Sequence, residues 1–214
     1  MMDEARASEG RPERARKARS AAQRAAGERS QSDPTPRIAR RLRDEREARG
    51  WSLGELAARA GVSKAMISKV ERGEASPTAT LLGRLSGAFQ LTLATLLARA
   101  ESDDGRLVRA RDQTRWRDPE TRYVRRQIFA RARSPLELVE VELPPGAVVA
   151  FPAGSYAFIR QLVWVLRGRV VIREGAELHE LGPGDCLEFG APADSSFRNE
   201  SKSPCRYLVA LVKQ

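Results

Sequence analysis

The chain has 214 residues, with 38 Lys+Arg against 28 Asp+Glu, a net charge of +10 and a single histidine. That length suits one large domain or two small ones with real cores. No apolar run approaches the roughly 20 residues needed to cross a bilayer, and two cysteines, Cys186 and Cys205, are too few for a disulfide framework.

The charge is unevenly placed. Residues 1–133 hold 30 basic and 18 acidic side chains, whereas residues 134–214 hold 8 and 10. A basic front half points to a polyanion, nucleic acid before membrane. The N-terminus lacks the apolar core of a secretion signal, so a reduced, cytoplasmic setting is expected. The two cysteines then read as buried free thiols on neighbouring strands.

Residues 1–36 mix both charges with Ala, Ser and Gly and contain no Leu, Ile, Val or aromatic residue. Nothing there offsets the entropy of ordering, and a disordered charged tail is expected. From 37 to 99 the pattern turns helical in short pieces. Ile38 and Leu42 begin a first helix that stops at Gly50. Ser52 caps a second, with Glu55 completing a capping box, and Leu53, Leu56, Ala57 and Ala60 form its apolar face before Gly61 ends it. Ser63 caps a third that runs to about Arg72 and closes at Gly73. Ser76-Pro77 opens a fourth carrying Leu81, Leu82, Leu85, Ala88 and Phe89. Thr92 starts a short fifth with Leu93, Leu96 and Leu97.

After a linker at 100–108 the signal changes to strands over 109–214. "YVRRQIFARA", "PLELVEVEL", "RQLVWVLRGRVVIRE", "DCLEFG", "SSFRN" and "CRYLVALVK" are short and rich in Val, Leu, Phe and Tyr. Gly and Pro punctuate them. Many short strands at this spacing indicate a sandwich or barrel.

The third helix carries the chemistry of the front half. At about 100° per residue, Lys64, Ala65, Ser68, Lys69 and Arg72 share one sector, while Met66, Ile67 and Val70 share the other and can pack on the bundle. Cations with small neighbours suit phosphates and base edges in a major groove. A solvated helix face is the bland alternative. The segment "SLGELAARAGVSKAMISKVERG" resembles the helix-turn-helix of the xenobiotic-response-element (XRE) regulators, which share the phage-repressor fold. Ala57, Gly61, Val62, Ile67 and Val70 stand at its packing positions, and "ERG" is its closing signature. Gly54 departs from the longer polar residue usual there. The resemblance implies a five-helix domain that reads double-stranded operator DNA. Lys64, Ala65, Ser68 and Lys69 would lie on bases or nearby phosphates. Ser52, Ser63 and Arg72 would meet phosphates. It also implies a structural pair between Arg46 and Glu71.

The back half resembles a cupin, a double-stranded β-helix or jelly-roll barrel. "LVWVLRGRVVI" matches the family's hairpin, "LGPGD" the turn into its second motif, and "FGAPADSSFRN" the strand beyond. Metal-binding cupins supply histidines and a glutamate from these motifs. Here the glutamate position falls on Gln161 and the second-motif histidine on Ser195. His179, in "ELHEL", reads as an exposed strand residue. One imidazole cannot build such a site, so neither a metal nor any other cofactor is expected, and no catalytic residue is assigned.

The expected architecture is therefore a multi-domain α plus β chain. The barrel would offer Tyr156, Gln161, Val163, Ser195 and Phe197 to a small-molecule effector, with Val165 inward as well. Arg160, Leu162 and Trp164 would face outward, the last two toward a homodimer partner. A barrel packed solid and used only for dimerisation is the alternative. The leading functional expectation is a DNA-binding transcription regulator. A cupin enzyme fused to a DNA-binding domain and an effector-independent, antitoxin-like regulator stand beside it.

Overall fold

The computed structural model describes residues 35–97, 106–131 and 134–213. The tail expected before them, through residue 34, and most of the expected linker lie outside the described residues. Among these, no helix is long and apolar enough to cross a membrane.

Five helices come first. α1 spans Thr35–Ala48, beginning before the expected boundary at 37. Pro36 suits a first helical turn, where its missing N–H has no helical acceptor in any case, and Thr35 Oγ1 lies 2.9 Å from Ser76 Oγ. α2 spans Leu53–Ala60 behind a reciprocal capping box: Ser52 Oγ accepts from Glu55 N–H at 3.1 Å and Glu55 Oε2 from Ser52 N–H at 2.7 Å. It stops at Gly61, whose φ of 61° is left-handed. α3 is Lys64–Glu71, capped by Ser63.

α4 is Ala79–Phe89, and its cap is Thr78 rather than Ser76. The Ser76 hydroxyl is engaged with Thr35, while Thr78 Oγ1 accepts from Leu81 N–H at 3.2 Å and Asp118 accepts from Ala79 N–H, which fixes the helix head at 79. α5, Leu93–Leu97, follows Thr92, whose hydroxyl accepts from Thr95 N–H at 2.8 Å. Ile38, Leu42, Leu56, Ile67, Val70, Leu82, Leu85 and Phe89 close the bundle core. Met66, expected to pack there, is exposed, because the bundle covers only the Ile67–Val70 side of this two-turn helix.

Ten strands follow: β1 Arg115–Arg117, β2 Val124–Phe129, β3 Leu136–Leu143, β4 Val148–Phe151, β5 Ile159–Arg167, β6 Val170–Glu174, β7 Glu177–Leu181, β8 Cys186–Glu188, β9 Ser195–Arg198 and β10 Cys205–Lys213. They form a six-stranded sheet in the order β1-β2-β3-β10-β5-β8 and a four-stranded sheet in the order β4-β9-β6-β7. The expected β5–β6 hairpin does not form. Instead the chain leaves one sheet at Gly168 and enters the other. Gly168 has φ 79°, and a Cβ there would sit 2.9 Å from the Cys205 Cα and the Pro204 carbonyl oxygen, so only glycine permits that corner.

Register sorts the side chains. Along β5, Gln161, Val163 and Val165 face inward while Arg160, Leu162 and Trp164 face out, as strand alternation requires. One inward row runs Trp116–Arg125–Val141–Tyr207–Val165 across five strands of the larger sheet. Cys186 and Cys205 are both free but are not on neighbouring strands, because β5 lies between β8 and β10. Cys205 is buried, which pushes its thiol up to about 11. Cys186 is exposed rather than buried, since β8 turns it to the outer face. His179, expected to be exposed, is half-buried beside Glu177.

The bundle is tied by one ion pair. Arg46 Nε and Nη2 each donate to a Glu71 carboxylate oxygen at 2.8 Å, and Nη1 donates to the Trp51 carbonyl at 2.9 Å. This links α1, the α1–α2 loop and the end of α3. The Glu71 side chain is only 3% exposed. Removing Glu71 would leave the largely buried Arg46 guanidinium with only the exposed Glu47 carboxylate, at 3.3 Å, and the Trp51 carbonyl, at a cost of about 3 kcal/mol. Glu71→Ala is therefore expected to lower stability by about that amount in urea unfolding followed by circular dichroism. A loss well below 1 kcal/mol would make the pair dispensable.

Candidate nucleic-acid interface and barrel cavity

On α3, Lys64, Ala65 and Lys69 are exposed, together with Ser52 and Ser63 at the two neighbouring helix starts. Both serine oxygens accept from the first turns of their helices, which leaves their hydroxyl protons to donate outward. Among the described residues Lys64 and Lys69 make no ion pair. Arg72 is differently placed: its guanidinium pairs with Glu74 at 2.6 and 2.7 Å and also donates to the half-buried Ser68 hydroxyl. The free positive charge of this face thus comes from the two lysines. Met66, in the opposite sector of α3, is also exposed.

α4 lies against the barrel. A Cβ on Gly83 would fall 2.6 Å from the Phe151 ring, and one on Gly87 would fall 2.9 Å from the Gly154 carbonyl oxygen. Two buried carboxylates from the barrel meet the starts of two helices. Asp118 Oδ2 accepts from Ala79 N–H at the head of α4, while its Oδ1 accepts from Glu120 and Thr121 N–H at 2.8 and 2.7 Å. Glu137, on β3, accepts from the Thr92 and Thr95 hydroxyls at 2.7 and 2.8 Å, and Lys213 Nζ stands 3.3 Å away. Negative charge at a helix N-terminus opposes the positive end of the helix dipole.

Between this seam and the inner face of the larger sheet is a cavity of ≈ 50 Å³. The helical domain contributes Gly83, Ser86, Thr92 and Leu93 to its wall, and the barrel contributes the rest. Of the expected ligand residues, Tyr156, Gln161 and Phe197 line it. Val163 does not: it is fully buried in the core behind the wall. Ser195 is also buried outside the lining, with its hydroxyl hydrogen-bonded to that of Tyr156. Burial pushes the Tyr156 and Tyr207 phenols well above the ordinary tyrosine range, so both stay neutral donors.

Tyr123, Arg125 and Tyr207 were missed as lining residues. The signal for two of them was present. Alternation in "YVRR" puts Tyr123 and Arg125 on one face, and a core-facing arginine is rare enough to mark a site.

The metal expectation can be tested against the donors. Gln161 is a weak neutral ligand, and the Ser195 hydroxyl is already engaged by Tyr156. Among the described residues no three His, Cys, Asp or Glu side chains are grouped to hold an ion. This donor set does not fit a cupin metal, and no chemical step is derived through one.

Residues 42–96 match the helix-turn-helix family and residues 139–211 the cupin domain family. The HTH-type transcriptional regulator SutR of Escherichia coli (strain K12) is 26% identical over 158 residues, covering 74% of this chain and 84% of that protein. The HTH-type transcriptional regulator SinR of Bacillus subtilis (strain 168) is 36% identical over 61 residues, covering 28% of this chain and 55% of SinR. An HTH_3 family transcriptional regulator from Vibrio cholerae superposes with a TM-score of 0.69 at 22% identity, covering 84% of this chain and 97% of its own, and shares the fold.

The glycines of α4 carry a prediction with opposing terms. Gly87→Ala raises helix propensity by about 1 kcal/mol, but its methyl group meets backbone that cannot rotate away. Overpacking of this kind costs about 1–3 kcal/mol. The variant is expected to melt at a lower temperature than the parent, and a higher one would mean that α4 does not press on the barrel.

Proposed function

Because the chain joins an XRE-type helix-turn-helix domain to a cupin domain, we propose that it is a DNA-binding transcriptional regulator. In this reading it is a cytoplasmic homodimer whose barrel receives a small organic ligand. The observation that carries the DNA half is the exposed face of α3. There Lys64 and Lys69 stand unpaired among the described residues, flanked by two helix starts with outward-facing serine hydroxyls. Helix N-termini and lysines are suited to phosphates, and the small side chain of Ala65 permits close approach to base edges.

Ser68 and Arg72 complete the face. Arg72 must exchange Glu74 for phosphate to take part, so it contributes less than the lysines. The matched relatives bear names of transcriptional regulators, which supports the same reading.

A cupin enzyme is disfavoured by the donor set around Gln161 and Ser195, which offers neither a metal site nor an acid–base pair. An effector-independent or purely dimerising barrel is disfavoured by the cavity. A barrel used only as a scaffold has no need of polar groups left open in its interior.

The outer face of the larger sheet supports dimerisation. Trp164 is 46% exposed, and Leu162 and Leu166 flank it on β5. Leu208 and Ala210 of β10 stand beside Trp164 and Leu162 in register. A flat apolar stripe of this kind suits a second copy of the chain. A two-fold dimer would set two α3 helices about 34 Å apart, matching a near-palindromic site.

Two measurements test these statements. The Lys64→Ala, Lys69→Ala double variant is expected to bind a selected operator more weakly. Its log–log salt dependence should be shallower by about 0.9 per lost phosphate contact, and an unchanged slope would overturn the docking. Trp164→Glu is expected to convert a dimer to monomers in sedimentation velocity. A dimer that survives the substitution would place the interface elsewhere.

A further inference from the structure

Arg125 is the unexplained group in this molecule. It is 8% exposed and lines the cavity. Its guanidinium makes one polar contact among the described residues, a long 3.5 Å bond from Nη1 to the Tyr123 hydroxyl, and its Nε has no partner. The next residue, Arg126, also has an unpartnered Nε but pairs through Nη2 with Glu140 at 2.7 Å, a counter-ion that Arg125 lacks among the described residues. A guanidinium does not escape burial by losing its proton, because its pKa is too high. A buried cation without a counter-ion is strongly disfavoured. The site therefore asks for an anion.

The neighbours agree. Tyr207 lies in the same cross-strand row as Arg125, two strands away, or about 10 Å. Among the described residues neither the Tyr207 hydroxyl nor the Gln161 amide has a hydrogen-bond partner. Glu174 lines an adjoining, smaller hollow that shares Tyr156, Ile159 and Gln161 with the cavity, and its carboxylate there accepts from Gly190 N–H at 2.8 Å. The cavity thus presents an uncompensated cation and two open donor groups. Phe151, Ile159 and Leu211 give it apolar wall, and the Ser86, Ser155 and Thr92 hydroxyls that also line it are already donated to the Gly83 carbonyl and Glu137.

We infer that this cavity is a receptor site for a small organic acid, whose carboxylate pairs with Arg125 and whose apolar body rests on Phe151, Ile159 and Leu211. The planar fork of an arginine matches a carboxylate through two parallel bonds, and the Tyr207 and Gln161 donors fill its remaining lone pairs. Because Gly83, Ser86, Thr92 and Leu93 belong to the same wall, the acid touches the helical domain directly. Its occupancy is read at the α4–α5 seam, without a relay through the 98–105 segment. That second step rests on the regulator reading above, and it requires the acid to prefer one domain arrangement over another.

The test uses the full chain and a panel of monocarboxylates from acetate to octanoate plus benzoate, each beside its primary amide and inorganic phosphate. Calorimetric titration is expected to find at least one acid that binds and raises the melting temperature, with its amide inert. Arg125→Met keeps the volume and removes the charge, and should weaken that acid at least tenfold while leaving the chain folded. Tyr207→Phe should weaken it by a smaller factor. Silence from the whole panel overturns the site. So do equal binding of acid and amide, affinity unchanged in Arg125→Met, or binding of phosphate alone.

Affinity for an operator selected from random duplexes is measured in parallel, with and without the acid, and should change by about 5-fold or more. Acid binding without DNA binding overturns the regulator reading but not the site. DNA binding without acid binding overturns the site alone. Binding of both with no mutual effect overturns the coupling.

Discussion

The close approach of α4 to the barrel is the constraint on which the remaining geometry depends. Two glycines on one helix face, Gly83 and Gly87, let the backbone come within contact of Phe151 and Gly154. A side chain at either position would hold the helix away. At this distance Asp118 reaches the head of α4, Glu137 reaches the start of α5, and the wall of the cavity closes with residues of both domains. Each carboxylate is buried with both oxygens engaged, Glu137 by two hydroxyls at the start of α5 and Asp118 by the first N–H of α4 and two N–H groups of its own loop. Buried charge of this kind adds little net stability, but it fixes where the two domains meet, because no other placement satisfies it.

The polar groups of the interior fall into two sets. Asp118, Glu137, Asn199 and the Arg46–Glu71 pair are saturated with partners. Asn199, for example, donates to the Leu143 and Ser203 carbonyls at 2.9 and 2.8 Å. These groups specify the fold. Among the described residues Arg125 has no counter-ion, and the Gln161 amide and Tyr207 hydroxyl have no hydrogen-bond partner. All three line one cavity, whereas the orphaned His179 Nε2 and the Nε atoms of Arg126 and Arg206 lie outside it. A native interior pairs most of its buried polar groups, so a local cluster of exceptions marks a place where partners arrive from outside. The same contrast separates Lys64 and Lys69 on α3 from Arg72, which already has Glu74.

Gln161 and Ser195, which the cupin resemblance sets at metal-ligand positions, carry side chains that do not fit a metal. Ser195 keeps its strand alternation and bonds to Tyr156, and Gln161 keeps its inward direction on β5. The cavity is lined by phenols, an amide and a guanidinium, groups able to bind and orient a ligand.

Much of this was legible in the chain. The helix caps at Ser52 and Ser63, the stop at Gly61, the exposed lysines of α3 and the in–out alternation of β5 follow from local rules, since each depends on residues a few positions apart. The Arg46–Glu71 pair followed from the family resemblance and not from spacing. What escaped local reading was decided over long distances. Thr78 rather than Ser76 caps α4, Met66 is bare because the bundle does not reach it, and β5 leaves for the other sheet at Gly168 instead of forming a hairpin. Val163 and Ser195 dropped behind the cavity wall because alternation says which way a side chain points but not what stands before it. By itself the sequence determined two domains, their folds and the charged face of α3, because periodicity, capping and charge act between near neighbours. Only tertiary structure decided that Arg125 is buried without a counter-ion and that the helical domain closes the barrel's cavity. Those facts arise from strands and helices tens of residues apart, meeting at a distance that two glycines allow.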